Sequence, residues 1–214
     1  MNISKRLSIL SIFVLAAVLV FQGPALAASH DDHLEVMLEG MPIGELTEEE
    51  KEGILYLREE EKLARDLYSA FYDKWGLRTF SQVSMSEKNH MDSMKLLVDR
   101  YGLEYPVIEE RGRFFDPKLQ QIYYTFLARG MTSRGEAILV ALMVEEMDIY
   151  DFREEQKKTD KPDLLVIYEN LERGSRNHLR AYGRQLKKEN LVYKAEYLSQ
   201  AEVDSIMASP NERD

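Results

Sequence analysis

An all-α four-helix bundle is the fold class this sequence predicts, and three observations carry it. Apolar residues recur at alternating intervals of three and four along four long stretches. Helix start and stop signals bracket those stretches. No credible sheet can be assembled from what is left between them.

The elements follow in chain order. Thr47, with Glu50 three residues later, forms a capping-box pattern, and the helix it opens should run to about Trp75, where Gly76 stops it. Thr79 with Gln82 opens a second helix, ending near Tyr101 before Gly102. Asp116 followed by Pro117 suits the cap and first position of a short helix reaching Arg129, with Gly130 as its terminator. Ser133 with Glu136 opens the third long helix. Asp160, with Pro162 close behind, starts the fourth, which continues towards Lys188. Ser199 with Glu202 marks a short terminal helix.

Connection lengths give the topology. Only a few residues separate the first long helix from the second and the third from the fourth, so each pair should be an antiparallel hairpin. A long link from Gly102 to Thr132, carrying the short helix, joins the hairpins. That describes the ferritin-like arrangement of a four-helix bundle, here with a short C-terminal helix added. The bundle is expected over residues 47–208, after a flexible polar leader at 28–46 and before a disordered tail at 209–214.

Residues 1–27 read as a signal peptide. Lys5 and Arg6 precede an apolar run from Leu7 to Phe21, then Pro24 and the small residues Ala25 to Ala27. The run is short for a membrane span, which needs about 20 apolar residues. Cleavage after Ala27 is expected, leaving a secreted or periplasmic chain with no membrane attachment, against the alternative of a retained N-terminal anchor. Losing Lys5 and Arg6 and no acid takes the formal charge from −10 to −12. Such a balance disfavours nucleic acid and anionic membranes as partners and suits cations. The chain has no cysteine, which at this size carries no contrary implication for compartment.

Each core stripe is interrupted near its middle by a group able to bind metal. The first runs Ile54, Leu57, Glu61, Ala64, Tyr68, Phe71 and Trp75, with Glu59 and Glu60 outside it as solvated charges. The second runs Phe80, Val83, Glu87, His90, Met94, Leu97 and Tyr101, with Glu-x-x-His at its centre. The third gives Ile138, Ala141, Glu145, Asp148 and Phe152, and the fourth Leu164, Tyr168, Leu171, Ser175, His178, Tyr182 and Gln185. Glu146 competes with Glu145, since it can share a second stripe with Leu139, Leu142 and Ile149; Glu145 is preferred because its seam includes the small Ala141.

Burying an uncompensated charge costs several kcal/mol, so core carboxylates must be protonated, paired or metallated. Glu61, Glu87, Glu145 and Asp148 supply up to −4, which two divalent cations balance, while His90 and His178 bind as neutral imidazoles. Carboxylates and imidazoles without thiolates suit iron, manganese or zinc. Tyr68, Tyr168 and Tyr182 are candidates for hydrogen bonds to the ligands. Arg173, Arg176, Arg180 and Arg184 read as a solvated outer face near a helix C-terminus.

The segment Glu61 to Tyr68, EKLARDLY, resembles the first metal-bearing helix of rubrerythrin-like proteins, and SEKNH from Ser86 to His90 resembles their second. With EEMDIYDF and GSRNHLRAY, the combination is similar to a ferritin-like family catalogued as domain of unknown function 2202, over about Leu46 to Met207. The resemblance implies a ferritin-like bundle with a dimetal carboxylate centre and brings no established reaction. One departure stands out: Ser175-x-x-His178 replaces the usual Glu-x-x-His on the fourth helix. Asp148 is the candidate replacement; if it points away, a single-metal or mixed-metal site follows.

The leading expectation is therefore an exported di-iron oxidoreductase acting on Fe(II), peroxide or oxygen, with Glu87 as a bridging carboxylate. The alternatives are a metal-binding or storage protein without turnover and a helical interaction module with a polar core. Assembly into homo-oligomers stays open. A mature terminus Ala28-Ser29-His30 could also bind copper(II) or nickel(II) in a square plane, against the simpler reading of an acidic leader with incidental histidines.

Overall fold

A computed structural model describes residues 30–104 and 108–213. The expected signal peptide and the residues Ala28 and Ser29 of the copper motif lie outside the described residues. Seven helices and no strand occur among those described: α1 (His30–Glu39), α2 (Glu48–Trp75), α3 (Arg78–Arg100), α4 (Pro117–Gly130), α5 (Arg134–Gln156), α6 (Pro162–Lys188) and α7 (Gln200–Ala208). None is long and apolar enough to cross a membrane.

Local chemistry sets most boundaries. Thr47 and Glu50 form the complete capping box, and Gly76, at φ 65°, closes α2 in the left-handed conformation that glycine adopts without strain. Asp116, Ser133 and Ser199 cap α4, α5 and α7 through their side chains. Two expected starts are corrected. Helix α3 begins after Leu77 without a side-chain cap, because the Thr79 hydroxyl is engaged by Gln185 at 3.0 Å. Helix α6 begins after Lys161, not Asp160, because Pro162 occupies its first position.

Hairpins α2–α3 and α5–α6 pack together through α2 against α5 and α3 against α6. Helix α4 lies across α2 and α5, α7 lies on α6, and α1 lies on α3. The apolar interior falls into two clusters. One gathers around Leu67, Phe71, Phe80, Ile138 and Leu179; the other around Ile54, Leu57, Leu97, Leu164 and Leu171. Glu61, Glu87, Glu145 and His178 sit between the members of these clusters along their own helices, so the polar layer is enclosed by apolar packing on both sides.

The described parts of the leader and of the tail are more structured than the sequence suggests. The leader contains α1, whose Leu34 and Leu38, one turn apart, are buried against the second cluster. The tail is held by Glu212, whose carboxylate takes Arg176 at 2.6 and 2.9 Å and Arg180 at 2.6 Å. Asn177 adds hydrogen bonds to the Glu212 backbone in both directions. Arg176 and Arg180 are therefore anchors for the C-terminus, and Arg180 is buried, not a solvated-face residue.

Candidate metal centre

Four helices deliver five buried groups to the middle of the bundle. Glu61 comes from α2, Glu87 and His90 from α3, Glu145 from α5 and His178 from α6, and all are almost fully enclosed. Glu87 lies between the two imidazoles: its carboxylate is 2.8 Å from His90 Nδ1 and 2.9 Å from His178 Nδ1. Each imidazole has a second carboxylate. His90 Nδ1 is 3.1 Å from Glu61 Oε2, and His178 Nδ1 is 3.2 Å from Glu145 Oε2. The rings stack at 5.1 Å. The result is two similar lobes, Glu61–His90 and Glu145–His178, sharing Glu87.

Neighbouring groups orient the lobes. His178 Nε2 lies 2.9 Å from Ser86 Oγ, which can accept its proton and leave Nδ1 free to face inward. The Tyr68 hydroxyl donates to Glu145 Oε1 at 2.6 Å. Helix α6 approaches His90 closely enough that a Cβ on Gly174 would lie 2.4 Å from His90 Nε2. Ser86 and Gly174 carried no signal in the sequence, because each acts by packing across to another helix.

The electrostatics describe a cage short of cations. Burial is the largest influence on all of these carboxyls and pushes each upward. At Glu87 it is outweighed by His178 and His90, which hold that carboxyl below the usual range. Glu61, with one imidazole and the repelling Glu87, rises to about 8, and Glu145 rises to about 7. For His90, burial works against the charge, but Glu61 and Glu87 outweigh it and raise the imidazole to about 10. His178 is raised for the corresponding reason by Glu87 and Glu145. Imidazolium protons thus supply the positive charge the carboxylates require.

Of the remaining expected residues, Asp148 and Tyr182 border the centre, whereas Ser175 and Tyr168 have other surroundings. Asp148 is 1% exposed, one turn beyond Glu145, and neither carboxylate oxygen has a hydrogen-bond partner among the described residues. Its strongest charged neighbour is Glu60, ahead of Glu61 and Glu145. Ser175 does not substitute for a carboxylate: its hydroxyl donates back to the Leu171 carbonyl at 3.2 Å. Tyr182 is buried beside Tyr68, at 5.2 Å between rings, and its hydroxyl is unpartnered. Tyr168 faces Glu155 and Glu50 rather than the centre.

Glu146 is occupied by a structural task. Its carboxylate accepts the backbone N–H groups of Glu196, Tyr197 and Leu198 and the Tyr193 hydroxyl. Glu59 and Glu60 are not solvated: they are 3% and 1% exposed. The crossover covers their side of α2, with Phe115 and Asp116 donating backbone N–H groups to Glu59. Lys62 and Asp66 on the same helix bind the crossover at Glu110, Gly112 and Arg113. A helix covered on two sides defeats a single-stripe reading.

As a donor set, Glu87, His90 and His178 place ligand atoms within 4.8 Å of one another. These residues could hold a metal ion. The fit is supported by unsatisfied acceptors: Glu61 Oε1 and both Glu87 oxygens lack an aligned hydrogen bond, although Glu87 lies so close to both imidazoles.

Comparison with known proteins supports the family and the fold and is silent on activity. A family model described as an uncharacterized protein domain, DUF2202, matches residues 50–210. The uncharacterized protein MJ0754 of Methanocaldococcus jannaschii is 40% identical over 177 residues, covering 82% of this chain and 96% of that protein. The crystal structure of hypothetical protein MJ0754 superimposes with a TM-score of 0.79 and covers 81% of this chain and 99% of that one.

Proposed function

Because the chain belongs to the uncharacterized DUF2202 family, function must be read from the centre itself, and we propose that it is a dimetal carboxylate oxidoreductase. It holds two divalent ions, iron foremost, and oxidises Fe(II) or reduces peroxide or oxygen. One observation carries the reading: Glu87 lies between two imidazoles, each completed by its own second carboxylate. Three carboxylates, two imidazoles and no thiolate suit iron, manganese or zinc.

Adjacent ions of a redox metal, when bound, supply electrons to oxygen or peroxide. The chain's own contribution is placement. Glu61 with His90 and Glu145 with His178 form the two ends, and Glu87 keeps them in register. Ser86 fixes the direction of His178, and Tyr68 holds one Glu145 oxygen so that the other faces the ring. Apolar layers on either side along the bundle keep the site rigid. Binding displaces the protons of the two imidazoles and of Glu61, since ligands bind deprotonated.

A second reading rests on the compact trio Glu87, His90 and His178, which alone could hold one ion. A storage or binding role without turnover then follows. Metal analysis of protein purified without added metal, followed by Fe(II)-dependent consumption of oxygen or peroxide, separates the readings. Two equivalents with turnover support the oxidoreductase, one equivalent without turnover supports the second reading, and absence of metal after iron loading defeats both. On our reading of residues 1–27 the reaction takes place outside the cytoplasm, and a mature terminus at Ala28 is the result that checks it.

A further inference from the structure

We infer that Asp151, Glu60 and Asp148 form a relay that conducts divalent cations from an acidic surface groove to the buried centre. The inference rests on the metal reading of that centre and adds how an ion reaches it.

The centre opens only at the edges of His90 and His178, which reach surface pockets on the α3–α6 side that Arg184 and Arg173 also line, where a cation is disfavoured. Its ligands are nearly fully enclosed, and apolar packing covers the layer on both sides. Between α2 and α5, however, a line of carboxylates leads outward. Glu145, Asp148 and Asp151 are spaced at three residues along α5, so successive members are neighbours on a line that winds around the helix with roughly 4.5 Å of axial rise per step. Glu60 faces them from α2: its carboxylate meets that of Asp151, and it is also the leading charged neighbour of Asp148. Asp148 in turn faces Glu61 and Glu145. The series runs from the half-buried Asp151 to two ligands of the centre.

What marks this line as functional is its lack of partners. Other buried acids in the bundle are well supplied with donors. Glu59 and Glu146 take backbone N–H groups, Asp66 takes Lys62, and Asp163 takes Arg100, Tyr101 and the Leu164 amide. Glu60 and Asp148 are just as deeply buried, yet none of their four oxygens has a hydrogen-bond donor among the described residues. A buried carboxyl without a donor from the protein must hold a proton or take up a cation, and here two are kept side by side. A transient ligand of opposite charge accounts for both.

The outer end meets a suitable mouth. A surface groove of about 490 Å³ has Glu49, Glu52, Glu59, Asp116 and Glu155 along its lining, with Lys158 as the opposing cation. Tyr56 also lines the groove, and its buried, unpartnered hydroxyl faces Glu60 and Asp151 behind it. A concave surface with an excess of one charge concentrates ions of the other sign. Lys118 faces both Asp151 and Glu60, and Lys158 also faces Asp151, so an incoming ion competes with these lysines there.

The test is the rate at which metal-free, full-length protein takes up cobalt(II), followed by its visible absorption in a stopped-flow instrument. Asp151→Asn, Glu60→Gln and the double variant are compared with the wild type. Each amide keeps the side-chain shape, and Asp151→Asn acts at a half-buried position, so folded variants are expected and thermal melting verifies them. The relay predicts uptake slowed by about tenfold or more in the double variant, with the final number of ions unchanged and a weaker dependence on ionic strength. Equal uptake rates in all four proteins overturn the relay while leaving the centre intact. Loss of an ion at equilibrium in Glu60→Gln overturns it differently, by making Glu60 a ligand. Failure of the wild type to bind cobalt(II) removes the metal reading and the relay with it.

Discussion

Replacing Glu87 by glutamine should disable both halves of the centre at once. The carboxylate lies 2.8 Å from His90 Nδ1 and 2.9 Å from His178 Nδ1, so one substitution withdraws the charge that serves two imidazoles. Breaking a buried ion pair by removing one partner typically costs about 3–5 kcal/mol. The metal-free protein can recover part of that loss. Glu61 and Glu145 stand at about 8 and about 7 because of burial and because Glu87 repels them, and without Glu87 they ionise more readily and take over the imidazolium charge. The expected loss therefore sits near the lower figure, about 3 kcal/mol, which for a chain of this size lowers Tm by roughly 6–12 °C. Metal content is the sharper readout. Each lobe loses its shared ligand in Glu87→Gln, whereas Glu61→Gln affects only the His90 lobe and Glu145→Gln only the His178 lobe. After anaerobic Fe(II) loading and desalting, elemental analysis should give almost no metal in the first variant and about one ion in each of the others. Two ions retained by Glu87→Gln, or both lost in Glu61→Gln, would refute the shared-carboxylate arrangement.

Three further outcomes follow from the same geometry. Gly174→Ala places a methyl group 2.4 Å from His90 Nε2, and the ring is the part able to give way, so the fold should survive with a cost of about 1–3 kcal/mol while the His90 ion is weakened; calorimetric titration should show one affected site and one unaffected. Glu146→Ala strands three backbone N–H groups and the Tyr193 hydroxyl, so it should lower stability by several kcal/mol, at about 1–3 kcal/mol per unsatisfied buried group, yet leave the metal count unchanged; chemical denaturation beside elemental analysis checks both halves. In the metal-free protein the raised groups, His90 at about 10 and Glu61 at about 8, stabilise the fold fully only below their ordinary values of 6.5 and 4.5, and that stability is lost as pH rises through the raised values. Its Tm should accordingly fall from pH 5 to pH 9, and metal affinity should rise over the same interval as fewer protons need displacing, which scanning calorimetry and proton release in weak buffer would show.

The bundle and its buried polar layer were legible because both arise from one periodicity. Seams at intervals of three and four place Glu61, Glu87, His90, Glu145 and His178 inward, and the structure buries all five. Capping signals worked where a side chain really meets the first turn, as at Thr47, Asp116, Ser133 and Ser199. They misled at Thr79, which is drawn to Gln185 on another helix, and at Asp160, which Pro162 displaces from the cap.

What escaped the sequence was burial from the far side. Helix α2 is covered by the crossover and α5 by several neighbours, with every residue from Val140 to Ile149 buried. A single-stripe pattern assigns such extra faces to water, which is why Glu59 and Glu60 read as solvated. The partners that enclose them are distant in sequence and carry no local signature: the Phe115 and Asp116 amides lie more than fifty residues from Glu59. The same holds for the tail, where the single carboxylate of Glu212 meets two arginines of α6. Ordering these segments depends on groups that only the folded bundle brings together.

The most direct test of the account is anomalous diffraction from crystals of the protein loaded anaerobically with Fe(II). Two peaks are expected, about 3.5–4 Å apart, one between Glu61, Glu87 and His90 and the other between Glu145, Glu87 and His178. A single peak enclosed by Glu87, His90 and His178, or no peak within the bundle, would contradict it.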